Sequence, residues 1–520
     1  MRLFKLTLWA LLLELVKAHG SQDGLTVQTS TGIYTGLIDP DNNNVKTFQG
    51  IPFAEAPVGK LRWKPPVKLR ASRQHHYVHR LPANCPQYLL KTRSLWNTNL
   101  SEYGIETYGQ PRYAGTVAQT SDEDCLGLAI WAPIGVAPDA KLPVAFFIHG
   151  GAFVQGGVDS AYLNPSNWVS RSQKHIVVSV NYRVNIFGFP NAAGLDDQNV
   201  GFLDTRMALE WAYENIEAFG GDRNRIMLWG QSAGAVASDI IGFAFWDDPL
   251  ASSLFLQSGN AVRDFSRGDN ALQTNFTFVA KNLGCDFPTD PVAEVECMQG
   301  VPANLITNFV GQYGDNDTEP GLFFRPTVDE KVIFANYTER AKSGFIPKIP
   351  ALISTTANEQ ASFAYPVNNL IAGPANRTAL DALTLSSFVC PAFASRNVRA
   401  LNHLTTYRYQ YAGNFTNISP YRWLGAYHAA DLPPIMGTYD RHGGSTELEI
   451  QLSERMQDYV LAFITDPQNG LSNLGWAPDD GLSDGTLKRF GADNLVEQTV
   501  RSAEVDDPCL GVGVYQSVFA

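Results

Sequence analysis

Basic residues are scarce relative to acids in this 520-residue chain. Lys and Arg total 39 against 51 Asp and Glu, which leaves a net charge of −12. Such an excess of negative charge repels phosphate backbones and acidic lipid, so no nucleic-acid partner is expected. Charge of either sign is also sparse, at 17% of residues, while hydrophobic residues reach 44% and aromatics 11%. That balance excludes a disordered chain and leaves material for a sizeable core. No run of 18 apolar residues appears beyond the N-terminal segment, so no stable membrane anchor is expected in the mature chain. No C-x-x-C pair occurs among the six cysteines, which argues against a zinc ribbon or a dithiol redox motif. Neither an internal repeat nor a low-complexity linker interrupts the chain. One domain over residues 21–520 is therefore the expectation, although length alone would allow three.

The first twenty residues are of another kind. Arg2 and Lys5 precede a short apolar stretch, Leu6 to Val16, and the small residues Ala18 and Gly20 follow. The stretch is too short for a membrane span and carries Glu14. It reads as a secretory signal peptide, residues 1–20, so the mature chain is expected to be secreted. Export predicts oxidised cysteines, and an even count favours disulfides, although six cysteines allow fifteen pairings. Seven N-x-S/T sequons agree with export: Asn99, Asn275, Asn316, Asn336, Asn376, Asn414 and Asn417.

Strand and helix signals alternate, which favours an α/β fold. Leu142 to His149 is a short apolar run ending in Gly150-Gly151, and His175 to Asn181 is another. Asp204 is placed to N-cap a helix through Phe219, with Met207, Ala208, Trp211, Ala212, Ile216 and Phe219 at helical spacing. Arg225 to Trp229 reads as the next strand. It breaks into Gly230-Gln231-Ser232-Ala233-Gly234, and a second apolar helix follows.

Gly230 to Gly234 fits G-x-S-x-G, a turn that carries a nucleophilic serine between a strand and a helix, with glycines where the backbone crowds. The pattern also occurs at Gly481-Leu-Ser483-Asp-Gly485, after a polar stretch with no strand before it, and that copy reads as a turn. A serine nucleophile needs a base and an orienting acid, in the chain order Ser, acid, His. His403, His428 and His442 follow Ser232. His428 sits in the small-residue loop Gly425-Ala-Tyr-His-Ala-Ala-Asp431, which leads the other two only modestly. His75, His76 and His79 precede Ser232 and read as a solvated loop rather than a metal site. His149-Gly150-Gly151 follows a strand, and consecutive glycines free backbone N–H groups to face a developing oxyanion.

These motifs together resemble the type-B carboxylesterase/lipase family, the cholinesterase-like α/β-hydrolases, with secreted fungal members most similar. The resemblance runs from about residue 25 to 515. It rests on Gly50 to Gly59, Leu61 to Pro66, Glu123 to Leu126, His149 to Phe153, Asn181-Tyr-Arg183, Asn199 to Asp204, Phe219 to Asp222 and Gly230 to Gly234. It implies a mostly parallel, twisted central sheet flanked by helices, with large insertions around an active-site gorge. It implies Ser232 as nucleophile, His428 as base and Glu359 as acid, with Asp329 and Asp431 as spare carboxylates. It implies an oxyanion hole from the N–H groups of Gly150, Gly151 and Ala233. It pairs Cys85 with Cys125, Cys285 with Cys297 and Cys390 with Cys509. The chain departs from the family at Gln231 and Asp431, where Glu is common, and at Gln360 and Ala429, where Gly is usual.

The implied reaction is hydrolysis of a neutral, moderately apolar carboxylic ester through an acyl-enzyme, with a small-molecule substrate and no metal or cofactor. Triacylglycerol lipase and cholinesterase activity are the alternatives within the family. A non-catalytic binding protein on the same scaffold is the alternative from another class. Trp96, in the loop between Cys85 and Cys125, is either a packed residue or one wall of a cation site.

Overall fold

The computed structural model describes residues 24–517, apart from 92–93, 99, 101–115, 118–120, 263–272, 317, 319–320, 365–369, 375, 480 and 482–484. The signal-peptide expectation, the sequon at Asn99 and Ser483 of the second G-x-S-x-G lie outside these residues.

An eleven-stranded sheet organises the described chain. Its strands are β1 (Leu37–Ile38), β2 (Val45–Pro52), β3 (Gly127–Pro133), β4 (Leu142–Ile148), β5 (Ile176–Val180), β6 (Gly221–Gln231), β7 (Ser253–Gln257), β8 (Ala351–Thr356), β9 (Thr406–Tyr411), β10 (Thr486–Phe490) and β11 (Glu497–Arg501). The spatial order is β11-β10-β9-β8-β7-β6-β4-β5-β3-β2-β1. From β5 to β10 every neighbouring pair is parallel, and antiparallel strands close both edges. This is the α/β-hydrolase arrangement that the resemblance implied.

The central strands are apolar on both faces, as a sheet covered on both sides requires. Val144, Phe146 and Ile148 of β4 join Ile226 and Leu228 of β6 in one core cluster. The alternate residues, Ala145, Phe147, Met227 and Trp229, point into a second. Helices α1 (Val200–Asn215) and α2 (Ala233–Ala244) cover the first face through Phe202, Leu209, Val236 and Ile240. Helix α6 (Glu447–Thr465) covers the second through Leu452, Met456, Val460 and Phe463. Between them in sequence lie α3 (Tyr337–Lys342), α4 (Arg377–Thr384) and α5 (Cys390–Leu401).

Two local readings change, and a third stretch stands out. Helix α1 begins at Val200, so Asp204 lies inside it and does not cap it. Asp204 is fully buried and accepts from the backbone N–H, Nε and Nη2 of Arg183, at 3.0, 2.8 and 2.6 Å. A buried carboxylate must be paired, and that need outweighs the local preference for a cap. His75 to Tyr77 is not a loop but a short strand, pairing in parallel with Ile33 to Thr35. The stretch Arg377–Leu401 is helical over 25 residues and reaches a mean hydropathy of 1.2. Its buried arginines tie it to the fold: Arg396 pairs with Asp506, and Arg399 donates to Thr406.

Disulfides join Cys85 to Cys125, Cys285 to Cys297 and Cys390 to Cys509. The last holds the C-terminal segment on α5, beside a buried cluster in which Arg408 binds both Asp479 and Asp506.

Candidate active site

The parallel register brings four loops to one edge of the sheet. Gly230 of β6 pairs with Ile148 of β4, Gln231 with Gln257 of β7, and Thr356 of β8 with Tyr411 of β9. The segments beyond those strand ends hold Ser232, Gly150-Gly151, Glu359 and His428. In open α/β sheets ligands bind in the crevice outside the carboxyl ends of the strands.

Ser232 stands between β6 and α2 with φ 56° and ψ −123°. A non-glycine residue in that region is strained, and the surroundings must hold it there. Its N–H donates to the Gln257 carbonyl at 2.8 Å. The flanking glycines are required by contact. A Cβ on Gly230 would lie 2.2 Å from the Gly234 carbonyl carbon, and one on Gly234 would lie 2.0 Å from the Ile148 oxygen. The side chain of Ser232 is half-buried.

His428 is fully buried, and its Nδ1 lies 2.5 Å from Glu359 Oε2. Glu359 Oε1 accepts the Thr356 N–H at 2.8 Å, which orients the carboxylate at the end of β8. Asn358 fastens the acid's loop to the histidine's. Its Nδ2 donates to the carbonyls of Trp423 and Leu424 at 3.1 and 2.6 Å, and its N–H donates to Ala426 at 2.9 Å. Arg377 in turn donates to Asn358 Oδ1 and to the Trp423 carbonyl. Sequence reasoning passed over Asn358 and Arg377, because their partners lie in loops with no local signature.

The other candidates are engaged elsewhere. Asp431 Oδ2 accepts from Gln257 and Tyr409, each at 2.8 Å, and burial pushes its carboxyl up to about 6. Asp329 Oδ1 accepts the N–H groups of Lys331, Val332 and Ile333, so it organises a turn. His403 and His442 are exposed.

The His149 loop is packed on both sides. The buried imidazole stacks on Tyr182 with centroids 4.5 Å apart, and its Nδ1 lies 2.8 Å from the Gly150 carbonyl oxygen. Burial lowers it to about 4, so it is neutral at neutral pH. Gly151, Ala152 and Phe153 follow at positive φ, turning the chain sharply beside the strand ends. Gln87 clamps the far side, accepting from the Gly156 N–H and donating to its carbonyl. Ala233 opens α2, so its N–H has no acceptor within the helix.

Polar and aromatic contacts surround His428. Gln231 Nε2 lies 3.2 Å from His428 Nε2, and the buried Gln231 Oε1 has no hydrogen-bond partner among the described residues. Phe363 and Phe388 flank the imidazole with centroids at 5.1 and 4.9 Å. Trp96 packs on Phe363 and Tyr427, at 6.1 and 5.9 Å. Among the described residues no group of three or more His, Cys, Asp or Glu is placed to hold a metal ion.

Comparison with known proteins identifies the family. The Carboxylesterase family profile matches residues 23–380. The chain is 40% identical to Secreted lipase 5 of Gibberella zeae, over 97% of each chain. It is 39% identical to the Chlorogenic acid esterase of Aspergillus niger, over 94% of each. Lipase 2 of Geotrichum candidum is 31% identical, over 64% of this chain and 62% of its own. The chain belongs to the carboxylesterase family and is a carboxylic ester hydrolase.

Proposed function

We propose that Ser232, Glu359 and His428 form the catalytic triad of a secreted esterase for neutral, moderately apolar esters. The observation that carries this reading is the buried 2.5 Å contact between His428 Nδ1 and Glu359, taken together with a serine strained onto the elbow at the end of β6. With Nδ1–H donated to Glu359, the neutral imidazole keeps Nε2 free of a proton, ready to take one from Ser232. Oγ attacks the ester carbonyl as that proton moves. The tetrahedral oxyanion forms against the N–H groups of Gly150, Gly151 and Ala233. The imidazolium then protonates the leaving alcohol, and water repeats the cycle on the acyl-enzyme. Losing one oxyanion donor typically costs ~10²–10³ in rate.

Gln231 puts a neutral amide beside the nucleophile, and the walls next to His428 are the rings of Phe363 and Phe388. These favour an uncharged, apolar or aromatic group over a cation. Butyrylthiocholine is expected to show no more than about a 100-fold advantage in kcat/KM over a neutral thiobutyrate, or ~2.7 kcal/mol. A larger advantage would restore Trp96 as a cation site.

The names of the lipase relatives favour triacylglycerols as a second reading. A p-nitrophenyl ester series from acetate to palmitate, below and above micelle formation, separates the two. A peak at short chains with no jump at the interface supports the esterase, and a peak at palmitate with such a jump supports the lipase.

Gln231→Glu tests the contact with Nε2. An anion there favours the imidazolium, whereas the base works only when neutral. The acid limb of the kcat/KM profile is expected to move to higher pH by roughly 1–2 units. An unmoved limb would show that the side chain does not face His428 in the working enzyme.

A further inference from the structure

The acceptor amides of the sequons are not equivalent. Asn417 is buried, and its Nδ2 donates to the Tyr439 carbonyl, Ser445 Oγ and Glu449 Oε2, at 2.9, 3.1 and 3.0 Å. Asn275 is also buried, with Nδ2 on the Phe323 carbonyl at 3.1 Å. A sugar on either nitrogen would replace one of those hydrogens and force the side chain out of the core, so a chain modified there could not reach this fold.

Asn336 is the opposite case. It is exposed and caps α3 through Oδ1, which accepts the Glu339 N–H at 3.0 Å. N-glycosylation leaves that oxygen an acceptor, so cap and glycan are compatible. The turn before it is held by Asp329, and Glu330 Oε1 accepts the Ala335 N–H, so the amide has a fixed direction.

Asn336 also borders a groove of about 270 Å³, lined by Phe334, Arg340, Phe345 and the carboxylates of Glu330 and Glu339. Phe345 is 42% exposed. Trp246 packs edge-on to it at 5.3 Å, and the Arg340 guanidinium lies 5.4 Å from its centroid. A part-exposed aromatic ring among carboxylate-bearing residues matches a pyranose, which has one apolar face and a rim of hydroxyl donors.

We propose that Asn336 carries an N-linked glycan and that its first N-acetylhexosamine lies in this groove against Phe345. The proposal rests on export and is independent of the triad. The donor is a lipid-pyrophosphate oligosaccharide of the secretory pathway. The bond from Nδ2 to the anomeric carbon forms as the bond from that carbon to the pyrophosphate oxygen breaks, and the amide proton leaves with the pyrophosphate.

The test uses the full chain secreted from a eukaryotic host. Enzymatic deglycosylation in ¹⁸O water followed by peptide mapping should label Asn336 and leave Asn275 and Asn417 unlabelled. Thr338→Ala removes the sequon but keeps the capping Asn336, and should lose one glycan mass. Deglycosylating the wild type should lower Tm by roughly 2–4 °C. In Thr338→Ala and in Phe345→Ala that drop should shrink, and by the same amount in both, although Phe345→Ala keeps the glycan. An unmodified Asn336, or a full Tm drop in Phe345→Ala, overturns the proposal. Ester hydrolysis should not change in either variant.

Discussion

Ser232→Ala is expected to lower ester hydrolysis by ~10⁴–10⁶ while the protein still folds, the scale on which triad nucleophiles act. The reason is chemical rather than structural. The hydroxyl is half-buried, whereas the backbone that bears it is held by Gln257, Gly230 and Gly234. Ser232→Gly should be equally inactive yet more stable, because glycine adopts φ 56° without strain and such strain costs about 1–3 kcal/mol. An organophosphonate should label the peptide that contains Ser232 and leave the variant unlabelled. Ser483→Ala should stay within about ±0.5 kcal/mol and keep full activity. Ester hydrolysis by Ser232→Ala at the wild-type rate, or label on Ser483, would show that the elbow had been assigned to the wrong serine.

Gly234→Ala is expected to have the largest effect on folding. The added Cβ would meet the Ile148 oxygen at 2.0 Å, the Ile148 carbonyl carbon at 2.7 Å and the His149 oxygen at 2.7 Å. All three atoms belong to the backbone at the end of β4, so no side-chain rotation relieves the contact. Relief requires moving a central strand away from α2, which should cost more than about 4 kcal/mol. Against a total stability of roughly 5–15 kcal/mol, that leaves little folded protein to secrete. Gly475→Ala provides the control. Gly475 has positive φ, 80°, unlike the helical Gly234, but nothing lies within 4 Å of its would-be Cβ. It should lose only about 1 kcal/mol. Secretion yield and Tm measured on both variants decide the matter, and a Gly234→Ala protein that melts like the wild type would refute the steric account.

The same glycine contacts explain why one G-x-S-x-G reads as an elbow and the other does not. Around Ser232 both glycines press on backbone, at Gly234 and at Ile148. Gly481 of the second copy faces only the side chains of Ala400 and Arg396. The difference was legible without coordinates, because an apolar strand precedes Ser232 and an apolar helix follows it. The two-faced apolar character of β4 and β6 was legible in the same way, since a continuous apolar run without alternating polar residues implies cover on both sides.

By itself the sequence marked the serine proposed as nucleophile, the glycine loop that follows β4 and the order of strands along the chain, because each is written within ten residues or so. The family resemblance pointed to Glu359, but nothing in the residues themselves says which carboxylate reaches the imidazole; the folded chain brings Glu359 there. Glu359, Asp329 and Asp431 are alike as residues, and His428 is only three positions from Asp431. Yet Asp431 is held by Gln257 and Tyr409, while Glu359 crosses 69 residues of sequence to meet Nδ1. The same holds for Asp204, whose position suggested a helix cap until Arg183 claimed it, and for Asn417, a well-formed sequon whose nitrogen is already bonded three times. Local pattern records what a residue prefers among its neighbours. Which distant partner satisfies a buried polar atom depends on how the strands are ordered across the sheet, and that ordering exists only once the chain has folded.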